Sequence, residues 1–153
     1  MIRSAGLLLH RRADGELEVL IAHMGGPFWA RKDEGAWSIP KGEFDPESEE
    51  PVDAAVREFR EELGVDPPPG PYDELGTWAY SSGKRVTVFA VDGAGFAASR
   101  FVFGTFELEW PPRSGKRQEF PEVDRAEWMT MDAARPRLVK GQRSALDALE
   151  TSL

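Results

Sequence analysis

The stretch that decides the fold is residues 37–65, WSIPKGEFDPESEEPVDAAVREFREELGV. From residue 51 to 63 its apolar residues recur at steps of three and four, which predicts a helix lying on a core: Val52, Ala55, Val56, Phe59 and Leu63. Pro51 suits the first helical turn, where its missing N–H costs nothing. Gly64 suits the position just after the last turn, where the chain can become left-handed. Both ends of the helix are therefore marked in the sequence.

A second face of this helix carries three glutamates, Glu58, Glu61 and Glu62, at i, i+3 and i+4. Side chains at this spacing converge, and each repelling pair costs roughly 0.2–0.5 kcal/mol on an exposed helix. Anions in the last turn also cost about 0.3–1 kcal/mol each against the helix dipole. Acidic runs on helices are usually solvated faces, and the helix alone favours that interpretation. A divalent cation would remove the repulsion, and carboxylate oxygens suit Mg²⁺ or Mn²⁺.

The residues before the helix complete a longer pattern. Gly42 is followed after six residues by Glu49, and Glu49 after seven residues by REFREELGV, residues 57–65. This pattern resembles the signature box of the Nudix hydrolases, which reads glycine, five residues, glutamate, seven residues, then R-E-apolar-x-E-E-x-G-apolar. The difference is one extra residue between Gly42 and Glu49, which we expect the Asp45-Pro46 turn to accommodate.

The resemblance implies a fold of the α/β class, the Nudix α/β/α sandwich. In it a mixed β-sheet has the box helix on one face and a C-terminal helix on the other. It also implies hydrolysis of a diphosphate linkage with Mg²⁺ or Mn²⁺ as cofactor. Such hydrolysis needs charge neutralisation and a positioned water, with little covalent work by the protein.

The resemblance also assigns roles to the residues of the box. The expected metal ligands are Gly42, through its carbonyl, and the glutamates Glu58, Glu61 and Glu62. Arg57 and Glu49 are expected to orient those carboxylates. Nudix enzymes often take one more carboxylate, as metal ligand or general base, from the region before the last strand. Glu122 is the first candidate for it and Glu119 the second.

Composition limits the class of protein. The chain has 153 residues, of which 41% are hydrophobic, and this predicts one folded domain over residues 1–153. The net charge of −8 argues against nucleic-acid binding, but not against a small phosphoanhydride substrate, because metal ions can reverse the field in one cleft. The absence of cysteine excludes thiolate chemistry and fits a cytoplasmic location. Residues 5–9 are too short an apolar run to span a membrane.

Four residues outside the helix are candidates for substrate binding: Arg3, Lys41, Tyr80 and Lys84. The W-x-x-P-K-G segment, residues 37–42, resembles the one before the box in members that act on diadenosine or diphosphoinositol polyphosphates, where the lysine contacts phosphate. Those members often have histidine where Glu43 stands here. Tyr80 lies where some Nudix subfamilies distinguish substrates, which favours a dinucleoside polyphosphate. Arg3 is equally compatible with a frayed edge, and Lys84 with a solvated side chain.

The rest of the chain predicts further strands, two closing helices and two long loops. Strands are expected over residues 2–11, 17–24, 74–81, 84–92, 105–110 and 125–130, with a Ser82-Gly83 turn in the second hairpin. Helices are expected over residues 131–134 and 140–153, interrupted by Pro136. Residues 25–36 and 111–124 are expected to be loops that contact substrate or solvent. His10 and His23 fall in strands without metal-ligand spacing and are interpreted as structural.

Four interpretations of function remain open at this point. The first is metal-dependent hydrolysis of a diphosphate linkage in a nucleoside diphosphate-linked or related substrate. The second is a nucleoside triphosphate pyrophosphohydrolase, and the third a non-catalytic Nudix-like domain that binds a nucleotide-type ligand. The fourth is a structural α/β protein whose acidic helix has no catalytic role. The three intact glutamates favour hydrolysis, because a domain that only binds would not need all of them.

Overall fold

The structure is a computed structural model that describes residues 2–81 and 83–153. Its strands are β1 (Ile2–Ala13), β2 (Glu16–Met24), β3 (Trp37–Ser38), β4 (Lys41–Phe44), β5 (Asp73–Ser81), β6 (Lys84–Asp92), β7 (Thr105–Glu109), β8 (Arg117–Pro121) and β9 (Val123–Thr130). Its helices are α1 (Pro51–Leu63), α2 (Met131–Arg137) and α3 (Arg143–Ser152), with a 3₁₀ turn at Lys140–Gln142. Ser82, predicted to form a turn with Gly83, lies outside the described residues.

Strand β1 is the centre of a seven-stranded mixed sheet. The main order is β3-β2-β1-β6-β5, with β4 also paired to β1 and β9 to β2. β1 runs parallel to β6 and antiparallel to both β2 and β4. β2 pairs with residues 10–13 of β1, whereas β4 pairs with residues 3–6. The sheet therefore splits along β1, and the split places Lys41 and Gly42 beside the N-terminal half of that strand.

Each face of the sheet is covered by helix, as the α/β/α sandwich predicts. Alternate residues of a strand point to opposite faces, so Leu7 of β1 packs in the cluster with Phe59 of α1. Its neighbour Leu8 packs in the opposite cluster with Leu146 and Leu149 of α3. All five side chains are fully buried, and each contributes about 1.5–3 kcal/mol through burial. Burial on both faces explains why residues 5–9 of β1 form a continuous apolar run.

Helix α1 begins and ends where the sequence predicts. Pro51 occupies the first turn, and Gly64 follows the last turn in the left-handed conformation, with φ 72°. The segment before β7 then caps the helix, because the N–H of Val102 donates to the Leu63 carbonyl at 2.9 Å. The N–H of Gly104 donates to the Glu62 carbonyl at 3.3 Å. These bonds satisfy carbonyls that a helix end leaves free, and they fix the turn that carries the glutamates.

Two expectations about the C-terminal third were wrong. Residues 117–121, predicted as loop, form β8, which pairs with β7 in a separate two-stranded sheet. Its polar, exposed residues hide the strand period, and Phe120 lies opposite Phe106 with ring centroids 6.2 Å apart. Pro136 lies inside α2 and does not interrupt two helices. It is tolerated next to the last residue of a short helix, where its carbonyl accepts the N–H of Gly35 at 3.1 Å.

The bounds of the other predicted strands differ from the structure by at most two residues. In the part of the chain that the structure describes, no helix is long and apolar enough to cross a membrane.

Candidate functional site

A cleft of about 670 Å³ opens beside the last turn of α1. This volume lies in the range of sites that hold small ligands. Seven of the residues that the sequence singled out line it: Lys41, Gly42, Glu58, Glu61, Glu62, Tyr80 and Glu122. They come from four separate parts of the chain, which the split in the sheet and the cap on α1 bring together.

Arg57 ties the loop before α1 to two glutamates of the helix. Its Nε and Nη2 donate to the two carboxylate oxygens of Glu49 at 2.9 and 2.8 Å. Its Nη1 donates to Glu58 at 2.8 Å and to Glu61 at 3.2 Å. The planar guanidinium matches this two-pronged geometry, and its hydrogen bonds hold the pKa of Glu49 below the ordinary value. Arg57 therefore sets the positions of Glu58 and Glu61 relative to the loop.

The extra residue before Glu49 lies in a compact turn. The side chain of Asp45 accepts the N–H of Glu47 at 2.9 Å. The carbonyl of Asp45 accepts the N–H groups of Ser48 and Glu49, each at 3.1 Å. Glu49 follows this turn and reaches Arg57.

Gly42 provides the space that the Glu58 carboxylate occupies. A Cβ on residue 42 would overlap this carboxylate, so the Glu58 side chain can take this position only with glycine at residue 42. Burial raises the pKa of Glu58, and hydrogen bonding to Arg57 opposes the rise.

Glu62 faces the same cleft from one residue further along α1. Burial raises its pKa to about 8, an effect that the charge of Lys41 opposes and that Glu122 and Glu58 reinforce. Glu122 also adds to the rise at Glu58. Crowded carboxylates disfavour one another's anionic forms unless a cation balances them.

The donor set fits a hard divalent cation. Carboxylate oxygens and the carbonyl of Gly42 are ligands that Mg²⁺ and Mn²⁺ prefer. Over residues 2–81 and 83–153, no three acidic, histidine or cysteine side chains already enclose a metal position, and Arg57 holds two of the three helix glutamates, Glu58 and Glu61. The side chain of Glu61 is 58% exposed, so it can rotate from Arg57 towards a cation without disturbing the core.

The cleft is also lined by Lys41, by Tyr80 of β5 and by Gln142 of the 3₁₀ turn. The Lys41 Nζ lies 4.6 Å from the centroid of the Tyr80 ring. Gln142 is fully buried, and its Oε1 accepts the N–H of Ile39 at 2.8 Å. No sequence motif marked Gln142, because it reaches the cleft only when the 3₁₀ turn packs beside β3.

Two candidate substrate residues lie away from this cleft. Arg3 is exposed on β1, paired with Phe44 of β4, and Lys84 opens β6 opposite Ser81. Neither lines the cleft. Glu119, the second choice for the additional carboxylate, is exposed on β8 and also lies outside it.

The aromatic residues of the loop 25–36 and the buried histidine have structural contacts. Phe28 packs edge-on against Trp110 of the β7–β8 hairpin at 5.4 Å between ring centroids. Trp29 packs on the α3-side cluster, the buried cluster that contains Leu8 and Leu146. His23 is fully buried, with Nδ1 2.8 Å from Asp124 and Nε2 2.7 Å from the Lys32 carbonyl. These contacts attach the loop to the sheet.

Comparison with known proteins decides the family. The family model of the Nudix domain matches residues 2–149. The chain belongs to the Nudix family. Among curated proteins, none matches the sequence.

Solved structures of other Nudix proteins share this fold. The chain is similar to an Ap4A hydrolase of C. elegans, solved as a binary complex, with 18% identity, a TM-score of 0.66, and 99% of this chain and 97% of that chain covered. It is similar to a Nudix hydrolase of Nitrosomonas europaea, with 15% identity, a TM-score of 0.63, and 99% and 89% covered. It is also similar to the Nudix domain of Shewanella oneidensis NrtR complexed with ADP ribose, with 14% identity, a TM-score of 0.63, and 99% and 88% covered. At these identities the similarity shows a shared fold and nothing about substrate.

In this Nudix domain, backbone hydrogen bonds connect Glu122 to the box helix. Besides donating to Glu62, Gly104 accepts the N–H of Glu122 at 2.8 Å. The Glu122 carbonyl in turn accepts the N–H of Gly25 at 2.9 Å. A Cβ on Gly25 would clash with the Pro121 carbonyl. These two glycines, which the sequence did not mark as functional, hold the backbone of Glu122 beside the cleft.

Proposed function

We propose that this Nudix domain hydrolyses a diphosphate linkage in a small nucleotide-type molecule, with Mg²⁺ or Mn²⁺ as cofactor. One observation carries the proposal. Glu58 and Glu62 share one cleft with Glu122 and Lys41, while Arg57 holds Glu58 and Glu61. Crowded, mutually repelling carboxylates beside one lysine suit a site that is completed by a divalent cation and a phosphate group.

The residues of the cleft have distinct proposed roles. Gly42, Glu58, Glu61 and Glu62 would hold the cation. When bound, that cation would neutralise charge on the phosphate oxygens. Arg57 and Glu49 keep the ligands oriented, and the Lys41 ammonium binds a phosphate oxygen. Glu122 or one of the box glutamates takes the proton of the attacking water.

A dinucleoside polyphosphate is the first substrate to test. The proposal has three supports: the W-x-x-P-K-G segment that ends at Lys41 and Gly42, the position of Tyr80 in the cleft wall, and the fold shared with the C. elegans Ap4A hydrolase. A nucleoside triphosphate is the second class to test.

The deciding experiment is a substrate panel with each metal. Ap4A, nucleoside triphosphates, nucleotide sugars and a diphosphoinositol polyphosphate are incubated with Mg²⁺, Mn²⁺ or EDTA, and the released phosphate and nucleotide are measured. Metal-dependent release that falls at least about a hundredfold in Glu61→Gln and Glu62→Gln, with both variants still folded at the assay temperature, supports the assignment. Near-normal turnover in both variants contradicts it. Glu122→Gln is expected to lose more activity than Glu119→Gln.

Binding without hydrolysis is the alternative. Arg57 already neutralises part of the charge of Glu58 and Glu61. The Nudix domain of NrtR, which shares this fold, was solved with ADP ribose. ADP ribose therefore belongs in the panel. Micromolar binding of a panel member by calorimetry, with no turnover of any member, would favour this alternative.

A further inference from the structure

Tyr80 is fixed by contacts that do not depend on a ligand. Its hydroxyl shares a hydrogen bond of 3.1 Å with the Oγ of Ser4, a residue that is 1% exposed. Gly141 lies so close to the backbone of Tyr80 that a Cβ there would overlap it. The ring packs on the α3-side cluster. Tyr80 therefore presents a fixed aromatic surface in the wall of the cleft.

Lys41 approaches this surface from β4. Opposite it on β1, a Cβ on Gly6 would lie 3.0 Å from the Lys41 Cβ and 2.7 Å from the Pro40 carbonyl oxygen. Glycine at position 6 thus leaves room for the lysine stem. The Nζ lies 4.6 Å from the centroid of the Tyr80 ring, and its charge also acts on Glu62. The ammonium therefore lies over the face of an aromatic ring, and its charge reaches the carboxylate of Glu62.

A free lysine side chain samples many rotamers, and each bound geometry costs entropy. The face of an aromatic ring attracts an ammonium group, more strongly when the group is partly desolvated. A lysine that the ring already holds loses less rotamer entropy when the substrate binds. We propose that Tyr80 is a positioning residue that holds the Lys41 ammonium towards the substrate diphosphate. Because Lys41 covers the ring centroid, a base would have to displace it before stacking there. Tyr80 thus acts through Lys41 and not by direct contact with a base.

The first test reads the contact without using activity. In the wild-type protein, the ε-methylene protons of Lys41 should resonate upfield of ordinary lysine values because of the ring current of Tyr80. Tyr80→Phe should keep this shift, and Tyr80→Leu should abolish it. Tyr72→Leu is the matched control, because it removes the other tyrosine of the chain from the opposite, α1-side cluster. An ordinary Lys41 shift in the wild-type protein overturns the proposal.

The second test is a double-mutant cycle and rests on the proposed function. With the best panel substrate, Tyr80→Leu should lower kcat/KM about tenfold, mainly through KM. Tyr80→Phe should keep most of the wild-type kcat/KM. In a Lys41→Met background, Tyr80→Leu should cost little more, because residues that act through one another are not additive. Equal losses in both backgrounds would mean that Tyr80 contacts the substrate directly, and would overturn the proposal.

The two tests separate this inference from the function on which it builds. If the wild-type protein hydrolyses no panel member, the proposed function fails, and the Lys41 resonance still decides whether Tyr80 holds the lysine. If the enzyme is active and the cycle is additive, the proposed function stands and the positioning role fails. Melting temperatures of all variants identify any loss that comes from unfolding.

Discussion

The carboxylate of Glu58 rests on the backbone of Gly42, in the space that any other side chain at position 42 would fill. The contact joins β4 to α1 and brings the first glycine of the Nudix box against its first helical glutamate. Each of these two expected metal ligands therefore limits where the other can lie. The structure gives a physical reason for a glycine that the box pattern only records.

Replacing Gly42 by alanine should displace Glu58 without unfolding the protein, because the overlapping atoms belong to a flexible side chain. We expect Mn²⁺ affinity and kcat/KM to fall by about 10- to 100-fold, as measured by calorimetry and steady-state kinetics. The control is the same substitution in a Glu58→Gln background, where the added loss should be small. Full additivity would contradict the contact.

Replacing Arg57 by lysine should weaken the site although the charge is kept. An ammonium cannot make the forked bond to Glu49 and reach Glu58 together, so activity should fall about 10- to 100-fold. Arg60→Lys is the matched control on the same helix, because Arg60 is exposed and pairs with Asp66. Similar kinetics for the two variants would show that the forked geometry is not needed.

The metal-free protein should lose stability as pH rises, in part because of Glu62. Its pKa is about 8 in the folded protein, against 4.5 for an unperturbed glutamate. Between these values the folded state binds more protons than the unfolded state, so this contribution is complete below pH 4.5 and is lost as pH rises through 8. In EDTA, Glu62→Gln should show a shallower fall in melting temperature and should be the more stable protein at pH 8. Parallel curves for the two proteins would contradict this account.

Divalent metal should stabilise the folded protein. At a free concentration of about 100 times Kd, a ligand that binds only the folded state adds about 2.7 kcal/mol, which for a domain of this size is a rise of about 5–10 °C in melting temperature. The measurement is thermal denaturation with titrated Mg²⁺, Mn²⁺ or EDTA. The Glu61→Gln/Glu62→Gln double variant should show little rise. A melting temperature that metal leaves unchanged in the wild-type protein would favour a purely structural acidic helix.

The box helix was predictable because each of its signals is local. Pro51 and Gly64 mark its ends, and the apolar stripe with Phe59 marks its buried face. The β7–β8 hairpin was only half predicted, because exposed residues of β8 such as Arg117 and Glu119 carry no period that distinguishes a strand from a loop. Pro136 misled for a similar reason: its rule holds for a helix interior, and the bonds that tolerate it near a helix end come from distant residues.

For the candidate site, the sequence by itself determined that the helix glutamates, Arg57 and Gly42 lie close together. The reason is that they are close in the chain, on one loop and one helix, so local structure alone sets their spacing. Only the tertiary structure decided which other residues join them. The split of the sheet at β1 brings Lys41 to Tyr80, hydrogen bonds through Gly104 bring Glu122 to Glu62, and Arg3 and Lys84 lie elsewhere. The physical reason is that such contacts depend on strand register and on close backbone packing at glycines, which involve residues far apart in the chain.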